Sequence, residues 1–310
     1  MPRRPGRDSA TMRTPSPLPA GLTAPFHIAD ARAAGVSPAR LRATDLDAPF
    51  RAVRALDAPH SVVDLARAYG ARMATHQFFS HTTAALLHEM PIPWRLQRRR
   101  EVHVSVLRPY FPPQGRGVRG HLSSSPRPLE LVGGLSTLVP AETWCELAAM
   151  LGHNELVIAA DHLVRRKWPQ SSVEKLRAAV EAMASKRHVL ALRAALECVR
   201  PGTDSPKESE LRLLLVQSGL PEPVIHFEVY DADGGFVATP DLSYPELKIA
   251  IEYEGAHHQT DQKTYADDIL RRELLVRAGW LLILVINEHL RDHPVWTVGR
   301  VRDAIAQRSR

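Results

Sequence analysis

The run Trp280-Leu281-Leu282-Ile283-Leu284-Val285-Ile286 is apolar at every position. A strand with one face in water alternates apolar and polar residues, so an unbroken run of this length needs cover on both faces. It predicts a strand at the buried centre of a sheet. The flanks agree. Thr264 to Ala278 reads as a helix stopped by Gly279, and Val295 to Gln307 as a final helix.

Upstream, Ser205 caps a helix over Lys207 to Ser218, with Pro206 at its first position and Gly219 after its end. Val224 to Tyr230, Phe236 to Leu242 and Leu247 to Glu254 read as strands, the first two joined by the hairpin turn Asp231-Ala232-Asp233-Gly234-Gly235. The C-terminal order is therefore αβββαβα, an α/β core with a mixed central sheet. The turn-rich stretch Val199 to Asp204 marks a boundary before it.

The N-terminal region reads as mainly helical α+β. Phe26 to Ala43 suggests two short helices, the second capped by Ser37, and Pro49 to Arg54 a wing strand; together they resemble a winged-helix head. Helices are expected over Leu65–Thr75, from Ser80 to Leu87, over Pro140–Leu151, Asn154–Arg166 and His188–Val199, and after the capping-box pattern Ser171-Ser172-Val173-Glu174. Val102 to Val106 reads as a strand, followed by the Gly/Arg segment Gly115 to His121. The domains expected are a disordered basic tail (1–21), the head (22–60), an α+β middle domain (61–202) and the α/β domain (203–310).

Charge divides at the same boundary. Residues 203–310 hold 12 Lys and Arg against 18 Asp and Glu, a net −6, whereas residues 1–202 hold 28 against 16, a net +12. Attraction to nucleic acid comes from cations near phosphates, so an acidic domain joined to a basic one fits a metal-binding catalytic unit delivered by a binding unit, with a solvated basic surface as the alternative. No apolar run approaches the roughly 18 residues of a membrane span, and the N-terminus lacks the apolar stretch of a signal peptide. With Cys145 and Cys198 far apart, the expectation is two thiols in a cytoplasmic protein without a membrane partner.

On the strand Leu247–Gly255, Leu247, Ile249, Ile251 and Tyr253 face one way, and Lys248, Ala250, Glu252 and Glu254 the other. Asp241, after Pro240, can lie beside Glu252 on a neighbouring strand, and Glu208 sits on the helix leading into the sheet. Glu208 also stands at the capping-box position after Ser205. Carboxylates that converge repel one another unless a cation binds, and Mg²⁺ takes hard oxygen ligands.

Pro240-Asp241, Ile251-Glu252-Tyr253-Glu254-Gly255, His257-His258, Ser205-Pro206-Lys207-Glu208 with Leu211-Arg212, and Gly279-Trp280 resemble the very-short-patch-repair-like branch of the PD-(D/E)xK nucleases, in particular an actinobacterial-type family within it. The resemblance covers Asp204 to Arg310 and implies a restriction-endonuclease-like core. It implies that Asp241 and Glu252 hold Mg²⁺, or Mn²⁺, with support from Glu208. The third motif position, usually Lys, is Glu254 here, which leaves the water-activating group open among His257, His258 and Lys248, with Gln259 as a further neighbour. Arg271 and Arg272 are candidates for phosphate contact, with helix-surface pairing to Asp267 and Asp268 as the alternative.

Phe26 to Arg54, the Phe79-Ser80-His81 helix start and Pro140 to Cys145 resemble the AbiEi-type antitoxin region that precedes such nuclease domains. That resemblance implies a DNA-binding head and a toxin–antitoxin or defence partner. The basic run Arg95, Arg98, Arg99 and Arg100 is a second candidate for phosphate contact. The resulting expectation is a metal-dependent endodeoxyribonuclease in DNA repair or defence, with a second copy, as a homodimer, among its candidate partners. The alternative is a DNA-binding regulator that keeps the nuclease fold without activity.

Overall fold

The fold is known from a computed structural model that describes residues 15–183, 188–255 and 262–310, with only the backbone of 262–269. In chain order the elements are β1 (Phe26–His27), α1 (Ile28–Ala33), β2 (Val53–Arg54), α2 (Val62–Gly70), β3 (Gln77–Phe79), α3 (His81–Leu87), α4 (Trp94–Gln97), β4 (Val102–Leu107), β5 (Gln114–Gly115), β6 (Val118–Ser123), β7 (Leu129–Val132) and β8 (Leu135–Leu138). Then follow α5 (Pro140–Leu147), α6 (His153–Leu163), α7 (Val173–Ala182), α8 (Val189–Cys198), α9 (Pro206–Gln217), β9 (Val224–Ile225), β10 (Val229–Tyr230), β11 (Phe236–Ala238), β12 (Leu242–Tyr244), β13 (Ile249–Glu254), α10 (Gln262–Arg277), β14 (Leu281–Ile286), α11 (Asn287–Arg291) and α12 (Pro294–Arg308). The protein is mixed α/β. Among the described residues no helix is long and apolar enough to cross a membrane.

Two compact units result: Met1–Thr83 with Arg95–Leu138, and Ala84–Trp94 with Val139–Arg310. The turn at Thr203 thus lies inside the second unit, and residues 61–202 are shared between both.

The first unit is built on a six-stranded mixed sheet of order β5-β6-β4-β3-β8-β7. β4 is parallel to β6 and antiparallel to β3. Strands β5 to β8 are not among the elements expected from the sequence. β5, β7 and β8 are short, and β5 to β8 are mostly not buried, so none carries an apolar run of the kind that marks β14. In the head, β1 pairs antiparallel with β2 over a small core of Phe26, Ala31, Val36, Leu41 and Leu46. The second expected helix is only a 3₁₀ turn, Arg40–Arg42, whose N-cap is Ala39 and not the expected Ser37, although Ser37 Oγ accepts the Arg40 N–H at 3.2 Å. So short a segment gains too few hydrogen bonds to offset helix nucleation.

Gly120 in β6 approaches the Pro113 backbone so closely that an added Cβ would lie 2.2 Å from its carbonyl oxygen. Gly120→Ala is expected to destabilise the protein by about 1–3 kcal/mol, read as a lowered melting temperature. An unchanged melting temperature would show that the β5–β6 backbone yields without cost.

In the second unit a four-stranded sheet runs β14-β13-β12-β9, with β13 parallel to β14 and antiparallel to β12. The apolar run is therefore an edge strand of this sheet, not its centre. It is covered by helices instead of flanked by strands. Ile283 and Val285 pack with Ile249, Ile251, Leu211 and Leu215 of α9 and Val298 and Val301 of α12, while Leu282 packs against a second cluster containing Ala250, Leu275 of α10 and Trp280. The same division confirms the alternation along β13. Ile249 and Ile251 face α9 and α12, and Ala250 faces the α10 side.

Two expected strands are broken. Val224–Tyr230 splits into β9 and β10 at His226, whose φ of +48° is left-handed. Phe236–Leu242 splits at Thr239-Pro240-Asp241, where Pro240 has no N–H for the ladder. The cap of α7 is Ser172, one residue later than the pattern at Ser171 suggests.

Candidate functional site

Both strand breaks deliver chemistry to one place. The turn at His226 donates its backbone N–H to the Asp241 carbonyl at 3.1 Å, locking the two irregular segments together. In the first turn of α9, Ser205 accepts from the Glu208 N–H, at 3.2 Å, as expected of an N-cap. The Glu208 carboxylate does not close a capping box on Ser205. It accepts the Asp204 N–H at 2.8 Å and lies 3.1 Å from His226 Nε2. Glu208, His226 and Asp241 each offer a ligand atom, and these atoms lie within 4.8 Å of one another.

Asp241 Oδ2 accepts the Tyr253 N–H of β13 at 2.7 Å, which fixes its carboxylate beside the strand bearing Glu252. Burial pushes the Asp241 carboxyl up to about 7. The charges of Glu208 and Glu252 push the same way, and the Tyr253 N–H and His226 oppose them. A buried carboxyl with two further acids beside it is costly to ionise, and a cation bound there would offset both the burial and the repulsion.

Glu252 is buried, as its position on the α10 side requires, but it is not in the close group. Arg271 of α10 grips both its oxygens, at 2.7 and 3.3 Å. Arg272 likewise pairs with Glu254 at 3.2 Å. The two arginines expected to reach for phosphate are thus turned toward the acids of β13. His257, His258 and Gln259 lie outside the described residues, as do the side chains of Asp267 and Asp268. Lys248 stands just before β13 in a left-handed turn and donates to the Ala278 carbonyl at 3.3 Å. Glu252 is near the other end of the strand, so Lys248 is not a neighbour of the acidic group. In the first unit Arg98, Arg99 and Arg100 are exposed, and Arg100 donates to the Pro59 carbonyl.

Sequence reasoning missed His226, Asp204 and Arg166. His226 reads as the middle of a strand and Asp204 as a linker residue. Asp204 lies 3.8 Å from His226 Nε2 and is held by Arg166, with Lys167 at 3.7 Å, so a cationic rim adjoins the group. A lone His between two apolar strand halves, VI-H-FEVY, is the one hint the sequence offers.

The chain matches no protein-family model and no solved structure. It is similar to two Mycobacterium tuberculosis proteins, uncharacterized protein MT2308 of strain CDC 1551 / Oshkosh and uncharacterized protein Rv2248 of strain ATCC 25618 / H37Rv. Each is 27% identical over 180 residues, 58% of this chain and 64% of the relative. The chain thus spans less than two-thirds of these curated relatives.

Proposed function

We propose that the second unit is a metal-dependent nuclease of the PD-(D/E)xK type acting on DNA, possessing a restriction-endonuclease-like core. The observation that carries this reading is the convergence of Glu208, His226 and Asp241, with the Asp241 carboxyl pushed up to about 7 beside Glu208 and Glu252. The mixed sheet β14-β13-β12-β9 with α9 and α12 on one face and α10 on the other, and the resemblance from Asp204 to Arg310, support it.

The donor chemistry fits a divalent cation. Two carboxylates and an imidazole supply hard oxygens with one borderline nitrogen, a set that favours Mn²⁺ somewhat over Mg²⁺. Among the described residues the buried His226 Nδ1 has no hydrogen-bond partner, and the ring is held by its Nε2 contacts. Such a cation would polarise a phosphodiester and help ionise water. The chain's own part is positional. Ser205 and Asp204 hold Glu208, Tyr253 holds Asp241, and Arg166 and Lys167 offer positive charge at the rim for a nucleic-acid backbone. The basic N-terminal region would hold DNA in a salt-dependent way.

The bidentate Arg271–Glu252 pair favours a second reading, a DNA-binding regulator that keeps the fold without catalysis. There the guanidinium takes the place a cation would need at the third acid.

Supercoiled plasmid incubated with protein in Mg²⁺, Mn²⁺ or EDTA separates the two. The nuclease reading expects metal-dependent nicking, reduced ~100-fold or more by Glu208→Gln, in line with the loss of one electrostatic stabiliser. Undiminished cleavage by Glu208→Gln and Asp241→Asn would show the site to be elsewhere. A metal-independent gel shift with no cleavage of plasmid, linear or single-stranded DNA would favour the regulator.

A further inference from the structure

The first unit contains a group that the nuclease reading does not use. His103 on β4 and His121 on β6 lie on neighbouring parallel strands, where Ser105 is the register partner of His121. His81 opens α3. One ring nitrogen of each histidine lies within 4.8 Å of those of the other two. His121 Nε2 is 3.0 Å from His103 Nδ1, and the His81 and His121 rings stack at 3.9 Å between centroids.

We propose that His81, His103 and His121 form a binding site for a divalent transition metal of the Zn²⁺ class. Ligand spacing is the first argument. Nitrogens at about 2.0–2.1 Å from a tetrahedral ion are ~3.3 Å apart, so His103 and His121 need shift by only a few tenths of an ångström. The surrounding oxygens are the second. Metal-binding imidazoles turn their other nitrogen to an oxygen that fixes ring and tautomer. Here the Glu101 carboxylate faces His103 Nε2 at 3.5 Å, leaving Nδ1 toward His121. Ser80 Oγ lies 3.0 Å from His81 Nδ1 and is itself anchored by the buried Ser105 hydroxyl at 2.7 Å.

Backbone geometry is the third argument. His81 has φ +48°, a left-handed conformation uncommon outside glycine, and such outliers gather where surrounding structure holds a side chain in a set place. His103 is buried while His81 and His121 are only partly so, which leaves the ion approachable from solvent, with a coordination position for water or another ligand.

The test uses the full-length chain and does not depend on nuclease activity. Protein dialysed against Zn²⁺ is analysed for bound metal, and Co²⁺ substitution is followed by its visible absorption, which is intense in tetrahedral sites. The expected result is one tightly held ion in Asp241→Asn, and that ion with at most one more at the acidic group in wild type, with tetrahedral Co²⁺ bands in both. His121→Ala and His81→Ala should each weaken binding about 30-fold or more and abolish the bands, within the range by which lost ligand support weakens metal sites. These two positions are partly exposed, so the test survives if His103→Ala fails to fold. The proposal is overturned if wild type holds no Zn²⁺ and shows no Co²⁺ bands. Binding unchanged in both His→Ala variants, or lost in Asp241→Asn alone, overturns it as well.

Discussion

Asp241→Asn is expected to stabilise the metal-free protein by about 2–4 kcal/mol at pH 8 while reducing cleavage by ~100-fold or more. The stabilisation follows from proton linkage. The Asp241 carboxyl is pushed from 3.8 to about 7 by burial and by Glu208 and Glu252. Below about pH 4 both folded and unfolded chains hold the proton, and the group contributes no difference. Between there and about 7 the folded state binds more protons, so unfolding free energy falls as pH rises, and the full cost is present above about 7. Asn carries no proton to lose, and its amide oxygen can still accept the Tyr253 N–H. Urea unfolding in EDTA should therefore give curves for variant and wild type that approach each other near pH 4 and separate toward pH 8. Mn²⁺ should then restore stability to wild type, by ~2.7 kcal/mol at a hundredfold excess over Kd, and do little for the Asp241→Asn variant. A stability difference that does not grow with pH would mean that burial and the neighbouring acids do not raise the Asp241 carboxyl.

What can be read in the sequence is what is set locally. The alternation along Leu247–Glu254 places Ile249 and Ile251 on one face and Glu252 on the other, because a period of two depends only on the strand itself. The Ser205-Pro206 start of α9 is equally legible. The position of Trp280–Ile286 in its sheet is not. Burial of both faces demands cover, and helices above and below an edge strand supply it as well as a central position would. His226 is hidden for a related reason: its neighbours have strand chemistry, and only tertiary hydrogen bonding to Asp241 shows where the strand turns. Arg271 can be placed on a helix surface, but its choice of Glu252 depends on how α10 lies across β13. The three histidines of the first unit come from separate elements, and no local spacing connects them.

Arg212→Met is expected to cost about 3–5 kcal/mol, the second large effect, although Arg212 touches none of the ligand atoms of the acidic group. The Leu211-Arg212 pair contributes to the family resemblance, and the structure gives the arginine a scaffold task. It is 1% exposed and bonds the fully buried Asp161 of α6 at 3.0 Å, Glu222 at 2.7 Å and the Cys198 carbonyl at the end of α8 at 2.8 Å. Three segments of the second unit are thereby tied to α9, the helix that presents Glu208. Methionine fills similar volume but leaves Asp161 with neutral donors alone, the Arg200 N–H at 2.7 Å and the Ser209 hydroxyl. An ionised carboxylate without its counter-charge is far costlier than the pair is favourable, because both partners have already lost their water. The double variant Asp161→Leu/Arg212→Met removes the stranded charge and should recover most of the loss, a non-additivity that urea unfolding of the complete cycle would measure. A single-variant loss below about 1 kcal/mol would mean that water reaches Asp161 once Arg212 is gone. Recovery of stability without recovery of cleavage would separate holding α9 in the fold from holding Glu208 in register.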